Sequence, residues 1–238
     1  VTATRRGESD ILSTPVSMTA LDGDDVLKYA IRDLNDIAVS VPGLSSGTVS
    51  AFKSAQFAMR GVSETTIILY KESPVGVTLD DFVVPHIQTS NLEMFDIESV
   101  EVLRGPQGTL FGKNTTGGVI NVRTKRPQIG ENSLDLRAQL GDFGTKKGNA
   151  ALNLSLGDNL AFRFSGMMLK SDGFYENTAS YGPLGSPVPI DATHMGKSGS
   201  GDGRDLGGDY VFTGRAKLLW KPNENSNVLL QYEIVRDE

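Results

Sequence analysis

At 238 residues, with 23 Lys and Arg against 29 Asp and Glu, the chain has room for one large or two modest domains and is mildly acidic, a balance that disfavours nucleic acid as a partner. It contains no cysteine, which excludes disulfide frameworks, thiolate catalysis and cysteine metal sites. No apolar run approaches the roughly 18 residues of a membrane-spanning helix, but a barrel stays open, because its strands need only about 10 residues of alternating character.

In chain order, Val16–Leu21 reads as a strand and Asp22 as the N-cap of a helix running toward Lys28, with Asp24 and Asp25 at its positive end. Leu34, Ile37, Ala38 and Val41 fall at i, i+3, i+4 and i+7, which predicts an amphipathic α-helix stopped by Pro42-Gly43. Short strands are expected around Phe57–Arg60, Gly76–Leu79, Ser99–Leu103 and Val119–Val122. Between the last two lie Gly105, Gly108, Gly112, Gly117 and Gly118, a density that implies tight turns and close backbone approach. A phosphate-cradling loop is excluded here. With Gly112-Lys113 in the Gly-Lys slot, the leading glycine falls on Gln107 and the hydroxyl on Asn114.

After Pro127 the pattern alternates with a period of two, in five stretches. Leu134, Leu136, Ala138 and Leu140 oppose Asp135, Arg137 and Gln139; Ala150, Leu152, Leu154 and Leu156 oppose Asn149, Asn153 and Ser155. Leu160, Phe162, Phe164 and Met168 oppose Arg163 and Ser165; Phe212, Ala216, Leu218 and Trp220 oppose Thr213, Arg215 and Lys217; Val228, Leu230, Tyr232 and Ile234 oppose Gln231 and Glu233. Each stretch is a strand with one greasy and one polar face. The links at 157–159 and 221–227 are short, the link at 141–148 is modest, and 171–209 is long and rich in Gly, Ser and Pro. Alternation alone fits a membrane barrel and one sheet of a soluble sandwich equally.

Enzymatic signals are missing. Asp24-Asp25 and Asp80-Asp81 are sequence neighbours, which points their side chains apart, and no serine stands in a G-x-S-x-G context. The stretch Asp202–Asp205 lacks the spaced acids and final glutamate of a calcium loop. His86 and His194, the two histidines, are far apart in sequence. The cluster Arg123, Lys125 and Arg126 has no interleaved aromatics and reads as a solvated strand end. No catalytic residue, metal ligand or cofactor site is assigned.

The segment Phe95–Pro127, FDIESVEVLRGPQGTLFGKNTTGGVINVRTKRP, resembles the end of the plug domain of TonB-dependent outer-membrane receptors. Three upstream stretches in the same order support the resemblance: VTATRR at Val1–Arg6, MRG at Met59–Gly61 and VGVTLDD at Val75–Asp81. The implied fold is an α/β plug over residues 1–127, then antiparallel strands of an incomplete transmembrane barrel over 128–238. Relatives close the barrel with about twenty-two strands, so the chain is expected to be a portion of a longer receptor, its secretory signal removed or outside it. Counted from the plug, links after the first and third strands are external and those after the second and fourth periplasmic, in keeping with their lengths.

The resemblance also implies roles. Arg60 and Arg104 match plug arginines that pair with barrel glutamates on later strands; alternatively each satisfies nearby carbonyls, or Glu98 and Glu101. The structural glycines are Gly61, Gly105, Gly108, Gly112, Gly117 and Gly118. Val1, Thr2 and Ala3 match the tail of the box on which an inner-membrane TonB complex pulls. By location only, Tyr70, Lys71, Phe82, His86 and Gln88 are the ligand-facing candidates, their aromatics and cation suiting a bulky, anionic or hydroxyl-rich ligand; packing or solvation accounts for each alone as well. The implied partners are the TonB complex, outer-membrane lipid and a small ligand such as a ferric siderophore, and the implied task is active uptake. The rival reading is a periplasmic or surface binding or adhesion module with a plug-like fold and a soluble sandwich.

Overall fold

The computed structural model describes residues 17–49, 54–63, 73–84, 92–172, 175–176, 205–206 and 208–237. The chain divides into two compact units, Val1–Arg126 and Pro127–Glu238.

In the first unit, strands β1 (Met18–Asp22), β4 (Val75–Leu79), β5 (Phe82–Val84), β6 (Ile97–Arg104) and β7 (Gly118–Thr124) form one sheet in the order β1-β6-β7-β4-β5. Neighbours are antiparallel except β4 and β7, which run parallel. β6 and β7 are paired on both sides, and both of their faces are buried over Val100–Leu103 and Gly118–Val122, where apolar residues predominate. Val77, Val100, Val102, Ile120 and Val122 pack one face against Leu34, Ile37, Leu44, Phe57 and Met59. Those residues come from a short helix and from a separate hairpin, β2 (Leu44–Val49) paired with β3 (Ser54–Met59). A smaller cluster of Met18, Leu103, Phe111 and Val119 packs elsewhere.

Helix α1 (Gly23–Lys28) starts where the sequence places it. Asp22 and Asp25 form a reciprocal capping box, with the Asp25 amide donating to the Asp22 carboxylate at 2.8 Å. The second expected α-helix is instead a 3-10 helix, Leu34–Val39. Asp33 accepts from the amides of both Asn35 and Asp36, which tightens the first turn, and six residues are too few for α-helical propagation to compete. Leu34 and Ile37, three apart, are fully buried, and Val41 is buried beyond the helix end. The i, i+3 spacing is common to both helix types, so the pattern could not separate them. The strand expected at Phe57–Arg60 begins earlier and ends at Met59, and Arg60 is a turn residue with φ +51°.

The second unit is a five-stranded antiparallel meander: β8 (Ser133–Leu140), β9 (Lys146–Leu156), β10 (Leu160–Ser171), β13 (Asp209–Asn223) and β14 (Ser226–Asp237). Two short strands, β11 (Tyr175–Glu176) and β12 (Asp205–Leu206), pair within the long connection. The sheet is open, with β8 and β14 as its edges. Registers align the greasy positions in rows: Leu134, Leu152, Phe164, Ala216 and Tyr232 share one, and Leu154, Phe162, Leu218 and Leu230 the next. Polar positions align likewise, with Asn153, Arg163, Lys217 and Gln231 side by side.

Candidate functional site

One end of the first unit's sheet gathers most of the features singled out in the sequence. Pairing of Gly118 with both Val75 and Arg104, of Val77 with Val84 and of Met18 with Leu103 brings together the starts of β1, β4 and β7 and the ends of β5 and β6. The glycine-rich connection closes on itself here. The Gly105 amide donates to Gly117 O at 2.9 Å and the Gln107 amide to Thr115 O at 3.0 Å, around a one-turn helix, α2 (Gly108–Phe111). Gly118 permits the closest approach, because a Cβ there would lie 2.3 Å from Leu103 O and 2.2 Å from Met59 Sδ. Gly61 and Gly112 sit in turns, Gly117 packs beside Val75, and Gly108 faces open space.

Arg60 and Arg104 converge on the start of β1. Arg60 donates to Ser17 Oγ at 3.2 Å, while Arg104 donates to Met18 O at 3.1 Å and to Pro42 O at 3.3 Å. The Arg60 guanidinium also lies against Gly105, whose φ is +104°. Among the described residues neither arginine has a carboxylate within ion-pair distance, and the buried Arg104 Nε has no hydrogen-bond partner. Two adjacent cations thus rest on neutral oxygens, with capacity for an anionic group.

Beside this corner, Ser73, Val84, Phe111, Asn114, Thr115 and Val119 line a cavity of about 260 Å³. Ser73 follows the segment that carries Tyr70 and Lys71, and Val84 precedes the one that carries His86 and Gln88. Those four residues, like Val1, Thr2, Ala3 and His194, lie outside the described residues. Phe82 is described and is 72% exposed, but it stands at the other end of the β4–β5 hairpin, next to the tight turn Asp80-Asp81. Both aspartates have positive φ, as a two-residue hairpin turn requires. Asp80 accepts from the Thr124 amide and hydroxyl, and Asp81 pairs with Arg123 at 3.0 Å. Their work is structural.

Sequence reasoning missed a polar row through the middle of this sheet. Thr78 donates to Asn121 Oδ1 at 2.8 Å, and Asn121 Nδ2 donates to Glu101 Oε2 at 3.1 Å, with all three side chains buried. The available signal was a polar residue set between apolar neighbours in each of three strands: Thr78 between Val77 and Leu79, Glu101 between Val100 and Val102, and Asn121 between Ile120 and Val122. Asn121→Leu leaves a buried hydroxyl and a buried carboxylate each short of a partner; urea unfolding is expected to show a loss of about 2–3 kcal/mol.

In the second unit's sheet polar side chains are buried and large greasy ones are exposed, the reverse of a soluble sheet. Arg163, Arg215 and Lys217 are at most 5% exposed, whereas Leu134, Leu230 and Tyr232 are 59–68% exposed. Arg215 pairs with Glu233 at 2.8 Å, and Asn153 is held by backbone groups of Gln128 and Glu131. The exposed greasy face runs along β10 from Leu160 to Met168, about 26 Å at 3.3 Å per residue. Strand tilt shortens that to about 20 Å, close to the ~25 Å apolar band of a membrane barrel. A sandwich would bury this face.

The family model described as TonB-dependent Receptor Plug Domain matches residues 10–119. Residues 10–119 are a TonB-dependent receptor plug domain. The pesticin receptor of Yersinia pestis is 27% identical over 225 residues, covering 94% of this chain and 30% of that protein. The catecholate siderophore receptor Fiu of Escherichia coli K12 is 24% identical over 157 residues, covering 66% and 20%. The crystal structure of the ferric yersiniabactin uptake receptor FyuA from Yersinia pestis superposes with a TM-score of 0.73 at 23% identity, covering 94% of this chain and 32% of that one. The plug followed by antiparallel barrel-type strands is therefore the fold, and the chain spans a third or less of the length of these receptors. Carrying this plug domain, the chain belongs to the bacterial outer membrane.

Proposed function

We propose that this chain is part of a TonB-dependent transporter that takes a ferric siderophore across the outer membrane. It works by binding and gating and has no catalytic chemistry of its own. The observation that carries the reading is the succession, in one chain, of a plug-domain sheet and a meander whose greasy face is exposed and whose polar face is buried. Domain limits of 1–127 for the plug and 128–238 for the wall suit this division.

In this reading the ligand docks where the segments bearing Tyr70, Lys71, His86 and Gln88 leave the sheet. The aromatic and cationic residue types in those segments suit an anionic iron chelate, in line with relatives named for catecholate siderophore and ferric yersiniabactin. The inner-membrane TonB complex then pulls on the N-terminal box of which Val1, Thr2 and Ala3 are the tail. Such a box can be short, because strand addition relies on main-chain bonds.

The test is uptake of iron-loaded siderophores, catecholate and phenolate among them, by iron-starved cells relying on the receptor that contains this chain. Saturable uptake that disappears without TonB is expected; uptake indifferent to both receptor and TonB would refute the reading.

Arg60 and Arg104 are assigned to locking the plug, by pairing with wall carboxylates outside this chain. Breaking a buried pair on one side costs about 3–5 kcal/mol. Arg104→Ala is therefore expected to make the receptor leaky, seen as higher basal conductance in planar bilayers, with Arg104→Lys in between because it lacks the fork geometry. Unchanged conductance in the Arg60→Ala/Arg104→Ala double variant would remove this role.

A further inference from the structure

The greasy face ends differently at its two borders. Beside the tight turns, Leu156, Leu160, Trp220 and Val228 form its last row. At the end that carries the long connection, the row beyond Met168 and Phe212 reads Leu140, Lys146, Lys170 and Tyr210. Strand parity puts all four on the exposed greasy face, since each is an even number of residues from the apolar positions of its own strand.

Lys146 and Lys170 are direct cross-strand partners. Opposed residues in an antiparallel pair stand about 5 Å apart, and like charges there repel. Among the described residues neither lysine makes an ion pair. The nearest acids in sequence are Asp142 and Asp172. Asp142 belongs to the turn, where its carbonyl accepts from Thr145, and the Asp172 carboxylate lies against Gly144. Among the described residues, two ammonium groups and the Tyr210 phenol thus meet at the edge of an apolar surface with no carboxylate on the same row.

We propose that Lys146, Lys170 and Tyr210 bind the phosphomonoester headgroup of an outer-leaflet lipid. The inference rests on reading the greasy face as lipid-facing. The long connection assigns this border to the external leaflet. A phosphomonoester carries nearly two negative charges at neutral pH, which matches two ammonium groups, and its three terminal oxygens suffice for both lysines and the phenol. The acyl chains of the same lipid lie along Met168 and Phe212. A soluble anion gains nothing from that surface, so the apolar border selects a lipid.

The test uses the complete receptor carrying this segment, reconstituted in phosphatidylcholine vesicles doped with phosphorylated lipid A or with its dephosphorylated form. Lipid retained by the receptor on release into detergent is counted by native mass spectrometry. One cation near a membrane surface is worth about a fivefold change in binding, so K146Q/K170Q is expected to retain about thirtyfold less phosphorylated lipid. K146R/K170R and the remote Lys28→Gln are expected to retain it as the wild type does. Equal retention by K146Q/K170Q, no preference for the phosphorylated form, or full competition by inorganic phosphate would overturn the proposal. Siderophore binding by K146Q/K170Q separates this site from transport. If the wild type fails to enter vesicles, the lipid-facing reading falls along with the site.

Discussion

Arginine in place of Leu134 is expected to stop the receptor assembling in the outer membrane, while arginine in place of Asp135 is accommodated. The two residues are neighbours on β8 at nearly the same depth and on opposite faces. Leu134 belongs to the middle row of the greasy face, with Leu152, Phe164, Ala216 and Tyr232. A cation at the bilayer midplane costs about 2–4 kcal/mol, which is a factor of roughly 30 to 1,000 in the folded population. Asp135 aligns with Ala151, Ser165 and Arg215 on the polar face, where a cation meets polar neighbours and water. Heat-modifiable migration of the receptor from isolated outer membranes gives the readout. Phe162→Arg, directly opposite Leu218, should behave as Leu134→Arg does. Equal harm from Leu134→Arg and Asp135→Arg would mean that the greasy face does not meet lipid.

Gly118→Ala is expected to be the most damaging single methyl addition in the plug. The new Cβ would fall 2.3 Å from Leu103 O, a carbonyl on the central strand β6 paired alongside, and 2.2 Å from Met59 Sδ in a fully buried side chain. Its φ of +153° adds backbone strain. Overpacking costs about 1–3 kcal/mol and an unfavourable backbone region about 1–3 kcal/mol, giving a loss of about 2–6 kcal/mol in urea unfolding followed by tryptic sensitivity of the plug. Met59→Ala in the same chain relieves the sulfur contact alone, because the carbonyl is fixed by the sheet, and so restores only part of the loss. Full rescue by Met59→Ala would show that the backbone approach is not limiting. Gly108→Ala, with open space around it, serves as the comparison and should cost little.

How much of this was legible in the sequence follows from the physics of each element. The five strands of the second unit were legible because a period of two survives any register, and their rows then follow from pairing. Period two cannot say which face is covered, and the burial of Arg163 and Lys217 against the exposure of Leu230 supplied that. The capping of α1 by Asp22 was legible because the reciprocal Asp22–Asp25 arrangement is local. The 3-10 helix was misread as α because Leu34 and Ile37 satisfy both periods. The turn at Asp80-Asp81 and the buried row Thr78, Asn121 and Glu101 depend on strand neighbours distant in sequence.

The candidate site was legible in part. Arg60 and Arg104, 44 positions apart by their numbers, meet at Ser17 and Met18, and their acceptors there are a hydroxyl and backbone carbonyls rather than Glu98 or Glu101. Loop positions such as Tyr70 and His86 carry no periodic signal, so location was all the sequence offered. Phe82 shows the limit of location, since three residues of β5 suffice to place it at the opposite end of the hairpin from Val84.

The most direct test of the central claim is a single-cysteine scan along β10, from Leu160 to Lys170, in the receptor reconstituted in vesicles. The chain has no cysteine of its own, so each spin label reports one position of this segment once any cysteines elsewhere in the receptor are replaced. Oxygen accessibility from the lipid phase is expected to peak at positions 162, 164, 166 and 168 and to fall at 161, 163, 165 and 167. A flat profile, or maxima at Arg163 and Ser165, would contradict a membrane wall and with it the account of this chain as a transporter segment.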